Sequence, residues 1–289
     1  MIISLANANR KNGELTLEIL KEIDKKEVDE LNKSLESLVY YKQIKNLYNI
    51  AIQNGNELIK FLNTIYDTND KVSLGDSAKV IMEGNRLIAN YCSFIGMYID
   101  QIEKVLTKIE NKRMEQFRKM CNELYDKNIE YRFLVIMRNY IMHYDLPFTS
   151  YSESFNGRKL VIKKEHLLNF SKWKQVKQDI VNMSDTINVL PMIYPMNVNL
   201  TVLFFDFIYN ISDKLLSAYK NAGDFVIKHK VQFPAVVSYE SIEEFKNGNM
   251  HVNFLDFKGL QEALNDIKAH PKIDLNINYI TPEWLQENS

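Results

Sequence analysis

Cysteine is nearly absent from this chain. Its 289 residues hold two, Cys92 and Cys121, with no CxxC pair and no histidines clustered beside them. That excludes a disulfide framework and a cysteine-based zinc site. Glycine and proline are also scarce, nine and six. This is too few for the turn-dense sequences of sandwiches and barrels, so long helices are expected. Neither sign of charge dominates. Thirty-six Lys plus Arg against 37 Asp plus Glu leave a formal charge of −1, so any basic footprint for a nucleic acid must be local. No window of about 18 residues is free of polar breaks, and the most apolar stretch, 200–211, contains Asp206 and Asn210. The first ten residues have neither the basic run nor the apolar run of a secretory leader. A reducing cytoplasm without membrane contact is therefore the expected setting. What is present is ordinary globular composition, 46% hydrophobic and 25% charged, enough for one main body and a small appendage.

Hydrophobic spacing organises the chain. Residues 14–66 read as two or three polar, Lys-rich helices, with Leu31, Leu35, Leu38 and then Ile44, Leu47, Ala51 at helical intervals and Asn54-Gly55 as an interruption. From 76 to 109 the pattern is cleanest: Ile88, Tyr91, Ile95, Tyr98, Ile102, Val105 and Ile109 alternate steps of three and four. Leu87, Phe94, Ile99 and Leu106 broaden the stripe, which favours a globular bundle over a coiled coil. A helix over 112–144 follows, with Phe133, Met137 and Tyr140 on one stripe, stopped by Leu146-Pro147. Asn156-Gly157 between two short runs predicts a tight hairpin. Helices are expected over 165–188 and 198–221, the latter ended by Gly223. Beyond 231, residues 235–239, 250–255 and the alternating Ile273, Leu275, Ile277 and Tyr279 predict strands, with helical segments near 241 and 258. The fold class expected is mainly α: a helical bundle over 1–230 with a β-hairpin insertion near 149–164, then a small α+β appendage over 231–289.

Few residues suggest chemistry. The five histidines, His143, His166, His229, His251 and His270, form no HxxxH, HExxH or HxH pattern, so no metal site is expected. The common glycine-rich nucleotide loops and the GxSxG hydrolase elbow are absent. One constellation remains, Arg138-Asn139-Tyr140-Ile141-Met142-His143, closing a helix. On a regular helix Arg138 and His143 lie about 140° apart in rotation and about 7.5 Å apart along the axis, so they share no face. Asn139 and His143, at i and i+4, do, which lets the amide fix an imidazole tautomer. An imidazole exchanges protons near neutral pH and a guanidinium forks onto a phosphate. Together they suit phosphodiester chemistry.

This Arg-Asn-x-x-x-His pattern resembles the motif of the HEPN superfamily. With Glu130, Tyr131, Arg132, Phe133 and the exit Leu146-Pro147, the segment is also similar to bacterial HEPN-like proteins. The resemblance covers mainly 76–147 and extends through 221 as the rest of the bundle. It implies a HEPN-like bundle and a metal-independent, cofactor-free endoribonuclease of toxin, abortive-infection or CRISPR-associated defence systems. It further implies a homodimer in which two motifs meet in a composite site, and an antitoxin or defence-system partner. On this reading His143 is base or acid, Arg138 stabilises the phosphorane, Asn139 orients His143, and the product is a 2′,3′-cyclic phosphate. Asp145 stands where one toxin subgroup carries a modified tyrosine, so that regulation is not implied.

Local charge agrees with an RNA partner. Residues 103–180 carry 16 Lys plus Arg against 10 Asp plus Glu, net +6, leaving −7 for the rest. Arg158, Lys159, Lys163 and Lys164 cluster after the motif, and Arg86 could reach the same region or pair with a neighbouring helix. Tyr151, Phe155 or Trp173 could stack bases. Two rivals stay open: a HEPN bundle that binds RNA or a nucleotide without cutting it, and a structural interaction protein whose Arg–His pair is incidental.

Overall fold

The computed structural model describes residues 1–11, 14–67, 75–154 and 157–275. In chain order the elements are β1 (Ile2–Lys11), β2 (Glu14–Glu22), α1 (Lys25–Ser34), α2 (Glu36–Tyr66), α3 (Ser77–Ile109), α4 (Asn111–Lys127) and α5 (Ile129–His143). There follow β3 (Phe148–Ser154), β4 (Gly157–Lys163), α6 (Lys164–Leu168), a 3-10 turn (Ser171–Trp173), α7 (Val176–Asn182), β5 (Thr186–Ile187) and α8 (Leu190–His229). The chain ends its described part with β6 (Pro234–Tyr239), α9 (Ile242–Lys246), β7 (His251–Phe254) and α10 (Phe257–Ala269). The protein is mainly helical, with two small antiparallel sheets. It divides into two compact units, Met1–Lys42 with Ile208–Ser289, and Gln43–Phe207.

In the unit Gln43–Phe207 the seam of α3 is buried from Ile88 through Val105, and Leu87 and Leu106 are buried beside it. The broad stripe is the core of a globular bundle, as its width requires. Asp76 starts α3 by accepting from the Ala78 amide at 2.9 Å. Two seam tyrosines keep their hydroxyls satisfied inside: Tyr91 donates to Asn197 Oδ1 at 2.7 Å, and Tyr98 to the Leu200 carbonyl at 3.3 Å. The expected helix over 112–144 is two helices. Asn128 leaves the helical region (φ −120°, ψ 113°), and its backbone N–H and side-chain amide both bond the Leu124 carbonyl, at 2.9 and 3.1 Å. This is the local competition with helix propagation that asparagine offers. Asn54-Gly55, by contrast, does not interrupt α2. A Cβ on Gly55 would lie 2.6 Å from Asn197 Oδ1 and 2.8 Å from Tyr91 Cε2, so this glycine permits close approach rather than a turn.

The hairpin near 149–164 forms as β3 and β4, paired from Phe148↔Ile162 to Ser154↔Gly157, with Gly157 at φ +110°. Asn156 lies outside the described residues. The expected helix over 165–188 is replaced by α6, the 3-10 turn, α7 and the short β5, which joins β4. The helix over 198–221 is longer than expected, running through Gly223 to His229. By length and composition α8 could cross a membrane, and half of its candidate window is buried inside the protein.

The other unit holds the sheet β2-β1-β6-β7. Residues 14–22 are a strand, not a helix: Leu15, Leu17 and Ile19 alternate with Glu14, Thr16 and Glu18, a period of two. The expected strands 235–239 and 250–255 form as β6 and β7 and join the N-terminal hairpin through β1, with Ala6 opposite Ala235. The expected boundary near 230 thus falls within a unit whose sheet takes strands from both ends of the chain. Of the third expected strand, 273–275 adopt no strand and 276–279 lie outside the described residues. Leu5, Val28, Leu31, Phe225, Val231 and Val236 pack together in one core cluster of this unit.

A buried side-chain clamp fixes the hairpin to the bundle. Asn85 on α3 donates to the Phe148 carbonyl at 2.8 Å and accepts from the Phe148 amide at 2.9 Å. Asn85→Ala would leave both backbone groups buried without partners, and should lower unfolding stability by about 3 kcal/mol, measurable by urea denaturation.

Candidate active site on α5

Arg138 and His143 stand on the last turns of α5, and their surroundings differ. The stem of Arg138 lies over Gly96 of α3, where a Cβ would meet Cδ, Nε and Cζ at 2.5, 2.7 and 2.9 Å. Its Nη1 is 3.6 Å from Asp100 Oδ2, one turn further along α3. This pair is half-exposed and contributes little stability. Its effect is positional, because the notch and the carboxylate together fix where the guanidinium points. Glycine inside a helix costs about 1 kcal/mol relative to alanine, so Gly96 in the middle of the α3 seam is the sequence signal that could have revealed this seat.

His143 is exposed, and its imidazole makes no hydrogen bond or ion pair among the described residues. Asn139 is half-buried, and the expected hydrogen bond from it to His143 is not formed. The spacing allows contact, but in the final turn the imidazole turns into solvent. The helix ends just beyond, with the amides of Tyr144 and Asp145 both donating to the Tyr140 carbonyl, at 2.9 and 3.2 Å. Asp145 Oδ1 accepts from the Leu146 amide at 2.7 Å.

Behind the site lies an aromatic cluster. Tyr140, fully buried, stacks on Trp173 (centroids 5.6 Å) and meets Phe170 edge-on (5.7 Å), while Tyr144 packs on Phe170 (5.7 Å). The Tyr140 hydroxyl has no hydrogen-bond partner among the described residues. Burial first, and then Asp145 and Tyr144, push its pKa up to about 12, so it stays protonated at neutral pH. Trp173 is fully buried and donates Nε1 to the Leu167 carbonyl, which removes it as a base-stacking residue. Tyr151 remains part-exposed on β3, and Phe155 lies outside the described residues.

The basic residues expected to hold RNA are largely engaged in structure. Arg158 is buried and donates to the carbonyls of Thr64 (2.8 Å), Ile65 (3.3 Å) and Asp67 (3.2 Å), closing the C-terminal end of α2. A cation there satisfies orphan carbonyls and the helix dipole, so Arg158 is a helix cap rather than an RNA contact. Lys164 bonds the Met183 carbonyl at 2.9 Å and pairs with Asp185 at 3.0 Å. Lys163 approaches Glu165 at 3.9 Å. Arg86 forks onto Glu83 of its own helix at 2.6 and 2.7 Å, neither a free phosphate ligand nor a buried partner of a neighbouring helix. Lys159 is exposed.

Burial pushes the thiols of Cys92 and Cys121 up to about 12, so neither is a nucleophile at neutral pH. Among the described residues no group of three or more His, Cys, Asp or Glu is placed to hold a metal ion.

Gly96→Ala should displace the Arg138 side chain while leaving α3 helical. The expected result is a change confined to Arg138 and its neighbours in a crystal structure, with a stability change of at most about 1–3 kcal/mol for the overpacking. Comparison with family models, with curated proteins and with solved structures finds no match to this chain.

Proposed function

We propose that this protein is a metal-independent endoribonuclease of the HEPN type, acting in a defence or toxin–antitoxin setting. The observation that supports it best is the pair on α5: an exposed, unencumbered imidazole at His143, and the Arg138 guanidinium seated on Gly96 with its end half-exposed. In the reaction a ribose 2′-hydroxyl attacks the adjacent phosphorus, the P–O5′ bond breaks, and the products are a 2′,3′-cyclic phosphate and a 5′-hydroxyl. His143 accepts the 2′ proton or donates one to the departing 5′ oxygen. Arg138 bonds the equatorial phosphorane oxygens as charge accumulates there. Arg138 and His143 diverge by about 140° around α5, so two copies related by a two-fold axis would complete a site that one copy leaves open.

The binding-module reading has one observation in its favour: Asn139 does not orient His143. It predicts RNA affinity without new chain ends.

Arg138→Ala and His143→Ala should each reduce RNA cleavage by about a hundredfold or more while melting like the wild type. Cleavage should survive EDTA, stop at a 2′-deoxy scissile position, and leave 2′,3′-cyclic phosphate ends. Folded variants with full activity, or 3′-hydroxyl products, would contradict the assignment.

The composite site makes a separate prediction. Mixing wild type with His143→Ala protomers should lower activity faster than dilution alone, and sizing should show a dimer. A fully active monomer would contradict it.

A further inference from the structure

We propose that Lys172, Lys174 and Lys177, on the 3-10 turn and the start of α7, form the phosphate track along which a single-stranded RNA reaches His143. The inference rests on the ribonuclease reading of Arg138 and His143, but it concerns residues outside that pair.

The segment is fastened to α5. Trp173 stacks on Phe133 (5.9 Å) and on Tyr140 (5.6 Å), Phe170 packs against Tyr144 (5.7 Å), and Asp179 holds the Arg132 guanidinium at 2.7 and 2.9 Å. Phe170 therefore lies at the C-terminal end of α5 and Asp179 at its N-terminal end, so the lysines between them run alongside the helix.

Rotation around α5 shows which side they occupy. With Arg138 at zero and about 100° per residue, His143 stands at about 140° and Tyr140 at about 200°, and Tyr144 follows just beyond the helix end. The segment covers Tyr140 and Tyr144, so it borders His143 on the side away from Arg138. A strand lying on the lysines would bring its phosphate past the imidazole and toward the guanidinium. Tyr144, half-exposed next to His143, offers a ring face to a base.

Two further observations concern the lysines themselves. All three are exposed, and none has an ion pair or side-chain hydrogen bond among the described residues, unlike Lys163, Lys164 and Arg86. Lys174 also sits at φ +54°, ψ −129°, a conformation natural to glycine and strained for a residue with a Cβ. Its side chain is exposed. The arrangement presents a charge where glycine would be more stable.

The probe is a fully 2′-O-methylated single-stranded oligonucleotide of about 20 nucleotides, which cannot be cut by 2′-hydroxyl attack. Binding is followed by fluorescence anisotropy across a salt series. Changing all three lysines to Gln should weaken binding at least about tenfold and reduce the slope of log K against log salt by about 2, the value for three phosphate contacts on a single strand. Lys42→Gln with Lys228→Gln should change affinity by less than about twofold, because each lysine is already paired with a carboxylate, Asp256 and Glu27. Lys174→Gly should weaken binding while raising Tm by about 2 °C. A triple variant that binds with unchanged affinity and slope would overturn the track and leave the ribonuclease reading standing. A wild type that binds through these lysines yet never cuts ordinary RNA would overturn only the ribonuclease reading. A wild type that does not bind the probe would overturn the track, while its cutting of ordinary RNA decides the ribonuclease reading separately.

Discussion

Close approach at glycine is the constraint on which the bundle depends. Glycine is scarce here, yet in the unit Gln43–Phe207 three of the chain's nine, Gly55, Gly84 and Gly96, stand where a Cβ would collide with a neighbour. Gly55 lets α2 close on Tyr91 and Asn197. Gly84 admits Leu160 of the hairpin, whose Cδ2 would be 2.7 Å from a Cβ, and Gly96 admits Arg138. Each contact leads outward to a polar fixture: Tyr91 with Asn197, Asn85 with the Phe148 backbone, and Arg138 with Asp100. The helices thus meet along apolar seams, while small residues and buried amides set how close they come and in what register.

Parts of this were legible in the sequence. The α3 seam is read directly from steps of three and four, and the hairpin from Asn156-Gly157, because both signals are local and strong. The β6 and β7 strands are likewise visible as short runs after the helical grammar ends. The strand β2 was also written in the chain, as alternation of Leu15, Leu17 and Ile19, but its glutamates and lysine resemble a polar helix when counted by composition. The division at Asn128 turns on one residue's choice between helix and side-chain bonding, which periodicity does not register.

The candidate site was legible only in its residue types. Arg138, Asn139 and His143 could be named from the sequence, but the seat at Gly96 and Asp100 lies a helix away, and no local pattern links the two segments. Charge counting did not separate the cations left exposed from those engaged in structure. Arg158 looked like part of a basic patch, although the carbonyls at the end of α2 are its ligands. Arg86 is occupied by Glu83, three residues before it. Excess positive charge in a segment states how many cations are present, not which remain available once helix ends and neighbouring carboxylates have taken theirs.

The central claim, that a phosphodiester of RNA sits between Arg138 and His143, is tested most directly by nitrogen-15 NMR of the histidine ring. The His143 signal can be assigned by its loss in His143→Ala and followed while an uncleavable 2′-deoxy-substituted RNA is added. The account predicts a saturable shift of the His143 ring resonance that is abolished in Arg138→Ala. Saturable binding that leaves the His143 resonance unmoved would contradict it.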